Sequence, residues 1–157
     1  PNDFRVRPTA ERVRSALLDL LKADLPDARV LDLFAGTGAL GLEALSRGAK
    51  SADFVEFRPA CLHALKANIG ICRMGKCTRI FKKDAVRFAA ALPTPDHYGI
   101  AFADPPYESR QLDMVIKSWQ ANRFSPVLAV EHAVTHIIPP GAQHKVFDES
   151  AVTIYRR

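Results

Sequence analysis

Val13, Ala16, Leu17, Leu20 and Leu21 recur at the spacing of one helix face, which predicts a helix from Thr9 to Leu25 with Thr9 placed to cap it and Pro26 to stop it. The pattern then changes period. Arg29 to Phe34 is a short apolar run ended by glycines, and Ala39 to Arg47 returns to helical spacing before Gly48, so the two read as strand, turn and helix. Ser51 to Phe57 predicts a second strand, and Pro59 to Cys72 a helix with proline in its first turn and Leu62, Leu65 and Ile69 along one face. Thr78 to Phe81 reads as strand, Ala85 to Leu92 as a short helix before Pro93, and Gly99 to Ala103 as a fourth strand. Gln111 to Ala121 follows as helix and Val127 to Glu131 as a fifth strand. Beyond the Pro139-Pro140-Gly141 turn, Lys145 to Phe147 and Val152 to Tyr155 predict a closing hairpin.

Strands alternating with helices predict an α/β fold, a mostly parallel sheet covered on both faces with a late antiparallel addition. No repeat, low-complexity stretch or linker interrupts the pattern, so residues 1–157 are expected to form a single domain, with 1–25 as an N-terminal basic helix region. A chain of that length can bury roughly 70% of the surface its unfolded form exposes, enough for one core.

Composition narrows the class. With 48% hydrophobic and 25% charged residues the chain is ordinary for a globular protein, and no apolar stretch approaches the ~20 residues of a membrane span. No membrane partner and no signal peptide are expected. Cys61, Cys72 and Cys77 are odd in number and form no CxxC pair, which favours reduced thiols in a cytoplasmic setting. His132 and His136 are spaced i, i+4 but fall in predicted strand and loop, so no metal site is expected. The formal net charge of +5 favours a polyanionic partner.

Two segments carry candidate chemistry. Asp32 to Gly41 holds a G-x-G-x-x-G between a predicted strand and helix, where glycines let backbone approach a ligand at a helix N-terminus. Glu56 ends the next strand, at the distance from Gly36 expected of a carboxylate that accepts from ribose hydroxyls. Asp32 would oppose a pyrophosphate but suit a ligand carrying ammonium and sulfonium charges, as S-adenosylmethionine does. Asp84-Ala85 falls at the same rim, where the acid can meet an adenine amino group or cap the following helix. The candidate cofactor set is Asp32, Phe34, Ala35, Gly36, Thr37, Gly38, Glu56, Phe57, Asp84, Ala85 and Asp104.

The second segment is Asp104-Pro105-Pro106-Tyr107, directly after the fourth strand. Both prolines have φ fixed near −65° and the residue before a proline is pushed to an extended conformation, so the turn is stiff before any substrate arrives. Asp104 and the Pro105 carbonyl can accept from a planar NH2 group, and Tyr107 can stack on a base. These residues are the catalytic candidates. Arg7, Thr9, Arg12, Arg14 and Tyr107 are the candidate substrate contacts, with the basic stretch of Arg5, Arg7, Arg12 and Arg14 toward RNA phosphate and a solvated helix face as its alternative. Lys82, Lys83 and Arg79 form a second basic patch of the same ambiguity.

With both segments in view, the chain resembles class I S-adenosylmethionine-dependent methyltransferases acting on amino groups. More narrowly, the run from Asp32 to Ala49 looks like the RsmD family of 16S rRNA guanine-N2 methyltransferases. Arg7-Pro8-Thr9 with Arg12-Val13-Arg14 matches that family's opening, Asn68 its helix asparagine, and Tyr155-Arg156-Arg157 its ending. The resemblance implies a Rossmann-like, seven-stranded sheet, with Gly36, Gly38 and Glu56 on the cofactor, Asp84 near adenine, and Asp104 to Tyr107 around the target amine. It implies S-adenosylmethionine as cofactor and 16S rRNA, within the small ribosomal subunit, as partner. Thr37 stands where many relatives have serine, and the family's further basic opening segment is expected upstream of Pro1, which makes this an N-terminally trimmed form. DNA adenine or protein glutamine methylation is the alternative within the class, and a nicotinamide oxidoreductase the alternative outside it.

Overall fold

In a computed structural model, which describes residues 8–93, 95–105 and 110–157, the chain forms one seven-stranded sheet in the order β3-β2-β1-β4-β5-β7-β6. β1 (Arg29–Leu33), β2 (Ser51–Val55), β3 (Thr78–Phe81), β4 (Ile100–Ala103) and β5 (Val127–Ala133) run parallel, and the hairpin of β6 (Gln143–Phe147) and β7 (Ser150–Arg156) adds antiparallel to β5.

The side-chain period of two sorts each strand between two cores. On one face Val30, Phe54, Phe102, Ala129 and Val152 pack under α1 (Pro8–Leu20), α2 (Ala39–Ser46) and α3 (Pro59–Ile71), which contribute Leu17, Leu45 and Leu65. On the other, Leu31, Val55, Ala103, Leu128 and Tyr155 pack against α4 (Ala85–Ala90) and α5 (Arg110–Asn122), which contribute Ala89 and Trp119. A sheet buried on both sides explains why β4 reads as an unbroken apolar run and why Asp32 of β1 is buried among apolar neighbours.

Element boundaries differ from the sequence expectation in instructive ways. α1 starts at Pro8, which suits a first helical position, so Thr9 lies inside the first turn and is not the cap. The helix also stops at Leu20, short of Leu25. Turns with Leu21 N–H to Leu18 carbonyl at 3.1 Å and Asp24 N–H to Leu21 carbonyl at 2.8 Å keep Leu21 and Leu25 buried without further helix. β2 ends at Val55, before Phe57, because the Glu56 carboxylate accepts from the Phe57 and Arg58 amides at 3.1 and 3.0 Å and draws the chain out of the ladder. β5 runs two residues past Glu131, paired to β7 through Ala133 and Ser150.

What matters for the site is where the strand order reverses. β1 is flanked by β2 and β4, so the connections after β1 and after β4 leave in opposite directions and open a crevice above their carboxyl ends. Ligands of open α/β sheets bind at such a point.

Candidate active site

The loop from Phe34 to Gly38 is held in shape from three sides. The Ala35 amide bonds the Val55 carbonyl at 3.0 Å, the Gly36 amide bonds Glu56 Oε1 at 2.9 Å, and Asn68 Nδ2 on α3 donates to the Thr37 carbonyl at 2.9 Å. Gly36 has φ +59°, a left-handed value that favours glycine, and a Cβ there would meet nothing within 4 Å, so the space beside it is open to a ligand. Gly41 serves a different end. A Cβ on it would stand 2.5 Å from Phe54 Cε1 and 3.0 Å from Asp32 Oδ2, so its absence is what lets α2 press on the sheet.

Asp32, on β1, is buried and accepts one bond, from the Gly41 amide at 3.0 Å. Loss of water around it, with a smaller push from Glu56 and against the help of the Gly41 amide, moves its pKa up to about 8. Among the described residues this buried carboxyl has no positive side chain bonded to it, and a ligand bearing ammonium or sulfonium charge would supply one.

Glu56 is more heavily engaged than the sequence implies. Burial would raise its pKa, but the Arg58 guanidinium, donating to Oε2 at 3.0 Å and to Oε1 at 3.1 Å, and the Arg58 and Gly36 amides more than offset that and hold it below the usual range. The Arg58 side chain, about half exposed, thus covers Glu56 from the solvent side. Phe34, Glu56, Phe57, Arg58, Lys83 and Ala85 line a cavity of about 110 Å³ beside this carboxylate, of a size to admit part of a nucleoside. Asp84 caps α4, accepting from the Arg87 amide at 3.0 Å, so the capping alternative is realised, and the residue lines a separate hollow with Lys83, Arg87 and Phe88.

Across the strand reversal, Asp104 follows β4 and lines a second cavity of about 570 Å³ with Pro105, Glu131, His132, His136 and Asp113. That volume is typical of a site for a drug-sized ligand. Asp104 is exposed toward the cleft although protein surrounds it on the other sides. Enclosure, then the Glu131 and Asp32 carboxylates, push its pKa well above the usual range, a push that solvent in the cleft tempers without reversing. Arg14 partly relieves Glu131, whose own pKa burial raises. Beside them His136 Nε2 and Asp113 Oδ1 meet at 3.0 Å, and His132 and His144 share the Thr153 hydroxyl at 2.9 Å each.

The structure therefore gathers Gly36, Gly38, Asp32, Glu56, Phe57, Ala85 and Asp104 along one rim. The arginines divide. Arg14 Nε donates to Glu43 at 3.2 Å and is mostly buried, part of a network in which Arg47 joins Glu43, Ser15 and Asp19, so it ties α1 to α2. Arg12 is exposed, 3.8 Å from Asp148 and over the Phe147 ring. Arg79 pairs with Asp53 at 2.7 Å, while Lys83 reaches the small cavity. Arg5, Arg7, Pro106 and Tyr107 lie outside the described residues, as does the Thr9 side chain. Sequence reasoning missed Arg58, Glu131 and Gln111, which lines the small cavity. Glu131 had a signal, since it ends a predicted strand as Asp104 and Glu56 do. Among the described residues, no group of three or more potential metal ligands is found and no helix is long and apolar enough to cross a membrane.

A family model described as conserved hypothetical protein 95 matches residues 1–147. Ribosomal RNA small subunit methyltransferase D of Escherichia coli K12 is 34% identical over 166 aligned positions, covering 100% of this chain and 82% of that protein. The Haemophilus influenzae protein of the same name is 30% identical over 116 positions, covering 73% of this chain and 60% of its own. The solved structure of yhhF from Escherichia coli superposes with a TM-score of 0.84 at 34% identity, covering 100% of this chain and 89% of that one.

Proposed function

The chain belongs to the conserved hypothetical protein 95 family, the RsmD family, and from that premise we propose that it methylates the exocyclic N2 amine of a guanine in small-subunit ribosomal RNA. The observation that carries the reading is the row of carboxylates, Glu56, Asp32 and Asp104, set across the strand reversal above a glycine loop that leaves room for a ligand. S-adenosylmethionine, when bound, supplies a methyl group on a cationic sulfur and leaves as S-adenosylhomocysteine.

The residues present fit that cofactor. Asp32 would offer buried negative charge to its positive end, Gly36 leaves open space for it beside the loop while Gly38 lets the loop pack on Leu65, and Glu56 would accept from ribose once Arg58 releases it. Phe57 and Ala85 line the small cavity beside Glu56 and would wall the cofactor's nucleoside there. Asp104 and the Pro105 carbonyl, fixed by the ring that follows, accept from the two hydrogens of the target amine and turn its lone pair toward the methyl group. Asp104 takes the proton the amine releases on forming its new N–C bond, a task for which its raised pKa suits it. Orientation alone can lower such a barrier by roughly 7–11 kcal/mol, so no covalent enzyme intermediate is needed. A paired guanine cannot reach this cavity, and the base must be unpaired or flipped out at a cost of a few kcal/mol.

Transfer of labelled methyl from S-adenosylmethionine to small ribosomal subunits lacking the modification, followed by nucleoside analysis, tests the proposal. N2-methylguanosine at one position is the expected product. Asp104→Ala is expected to lower kcat by about 100-fold or more while cofactor still binds. Near-normal turnover by that variant would remove Asp104 from the mechanism.

A further inference from the structure

An Asp-Pro turn that grips an NH2 group does not by itself choose a base. Adenine N6, cytosine N4 and guanine N2 each present two N–H donors, and Asp104 with the Pro105 carbonyl satisfies both in every case. The bases differ at the neighbouring ring nitrogen, which is a lone pair in adenine (N1) and cytosine (N3) but an N–H in guanine (N1). A site for guanine therefore needs a third acceptor beside the first two.

Glu131 stands in that place. β4 and β5 are parallel neighbours in register at Ala103 and Val130, so the next step of the ladder sets Glu131 beside Asp104. Adjacent strands lie about 4.8 Å apart, close to the width over which two acceptors can share one base edge. Ile100 and Phe102 precede Asp104 on the face of the α1 core, as Val127 and Ala129 precede Glu131, so both carboxylates leave the sheet on the same side. Both line the 570 Å³ cavity with Pro105. Among the described residues Glu131 makes no side-chain hydrogen bond, which leaves its oxygens open to a new donor; burial raises its pKa and Arg14 offsets part of that rise.

Resting on the reading of the protein as an amino-methyltransferase, we propose that Glu131 is a specificity-determining residue that accepts from guanine N1–H and thereby selects guanine over other amino-bearing bases at Asp104. Adenine or cytosine in the same pose would set a lone pair against the carboxylate. The penalty is that of a buried polar group facing the wrong partner, and sites built to bond a substrate N–H discriminate strongly against analogues lacking it.

The experiment uses the full chain, S-adenosylmethionine, and small subunits reassembled on unmodified RNA whose target guanine, mapped first with the wild-type protein, is replaced by 2-aminopurine. That base keeps the 2-amino group but carries a lone pair at N1. The wild-type protein is expected to prefer guanine by about 30-fold or more in kcat/KM. Glu131→Gln, near-isosteric and able to donate as well as accept, is expected to narrow the ratio to about threefold while calorimetry shows unchanged cofactor affinity. Equal use of both bases by the wild-type protein would overturn the inference, as would a Gln variant that keeps the full preference. A wild-type protein that binds S-adenosylmethionine yet methylates neither RNA would bring down the methyltransferase reading, and the inference with it, an outcome distinct from an active but indifferent enzyme.

Discussion

Asp32 shows how one buried carboxyl can be set against the stability of the fold for the sake of a ligand. Its pKa of about 8 in the native state stands above the ordinary 3.8. Between those values the folded protein keeps a proton that the unfolded chain releases, so the unfolded state gains on the native one as pH rises through the window. The group thus costs nothing near pH 4 and most at pH 8, of order 2–5 kcal/mol for so buried a residue. Asp32→Asn, which keeps the shape and can turn its carbonyl to the Gly41 amide, is expected to raise Tm at pH 8 with the gain shrinking toward pH 4. The same change should weaken S-adenosylmethionine binding at least tenfold. Because a cationic ligand favours the ionised carboxyl, binding by the wild-type protein at pH 7 is expected to release protons, read from calorimetry in buffers of different ionisation enthalpy. A Tm gain that is the same at both pH values would show that charge is not its source.

At the scale of elements, the strand–loop–helix unit uses its glycines for two separable purposes. Gly36→Ala meets only its φ of +59° and open space, so it should cost about 1–2 kcal/mol in stability while putting a methyl group where the cofactor passes. Gly41→Ala drives a Cβ against Phe54 and Asp32, an overpacking of about 1–3 kcal/mol that should lower Tm by several degrees while harming binding less per degree lost than Gly36→Ala does. Thermal melts paired with cofactor titration separate the two, and equal ratios of binding loss to stability loss would deny the division. The pattern of glycines was legible in the sequence; which one faces the ligand was not, since that depends on Phe54 coming from the next strand. The same holds elsewhere. Short apolar runs set between helical stretches marked the strands, whereas ends such as β2's depended on side-chain bonds from Glu56 to backbone that no periodicity records. Asp104 announced itself through the prolines after it. Glu131 acquires meaning only when β5 is laid beside β4, and Arg58 only when its guanidinium closes on Glu56.

For the whole molecule, the net charge of +5 and the acidic cleft pull in opposite senses, and the fold keeps them apart. Carboxylates crowd the carboxyl ends of β1, β4 and β5, where a cationic cofactor and the donors of a base would answer them, so phosphate must be met on surfaces around the cleft. The arginines of α1 were equivalent candidates in the sequence, yet packing assigns them different work. Arg14 is spent on Glu43, in the network that fastens α1 to α2, while Arg12 extends into solvent beside the β6–β7 turn. If binding to the small subunit rests on counterion release, each arginine on a phosphate adds about one unit to the slope of log affinity against log salt. Arg12→Ala is therefore expected to reduce that slope by about one and leave Tm within a degree or so, its exposed pairing with Asp148 being worth little. Arg14→Ala is expected to do the reverse, leaving the slope unchanged and lowering Tm as Glu43 loses one of its two partners. Filter-binding titrations of unmodified small subunits across a salt series, run beside melts of both variants, read the two effects independently. A slope that falls for Arg14→Ala but not for Arg12→Ala would place the RNA on the α2 side of the molecule, opposite to where exposed positive charge on α1 points.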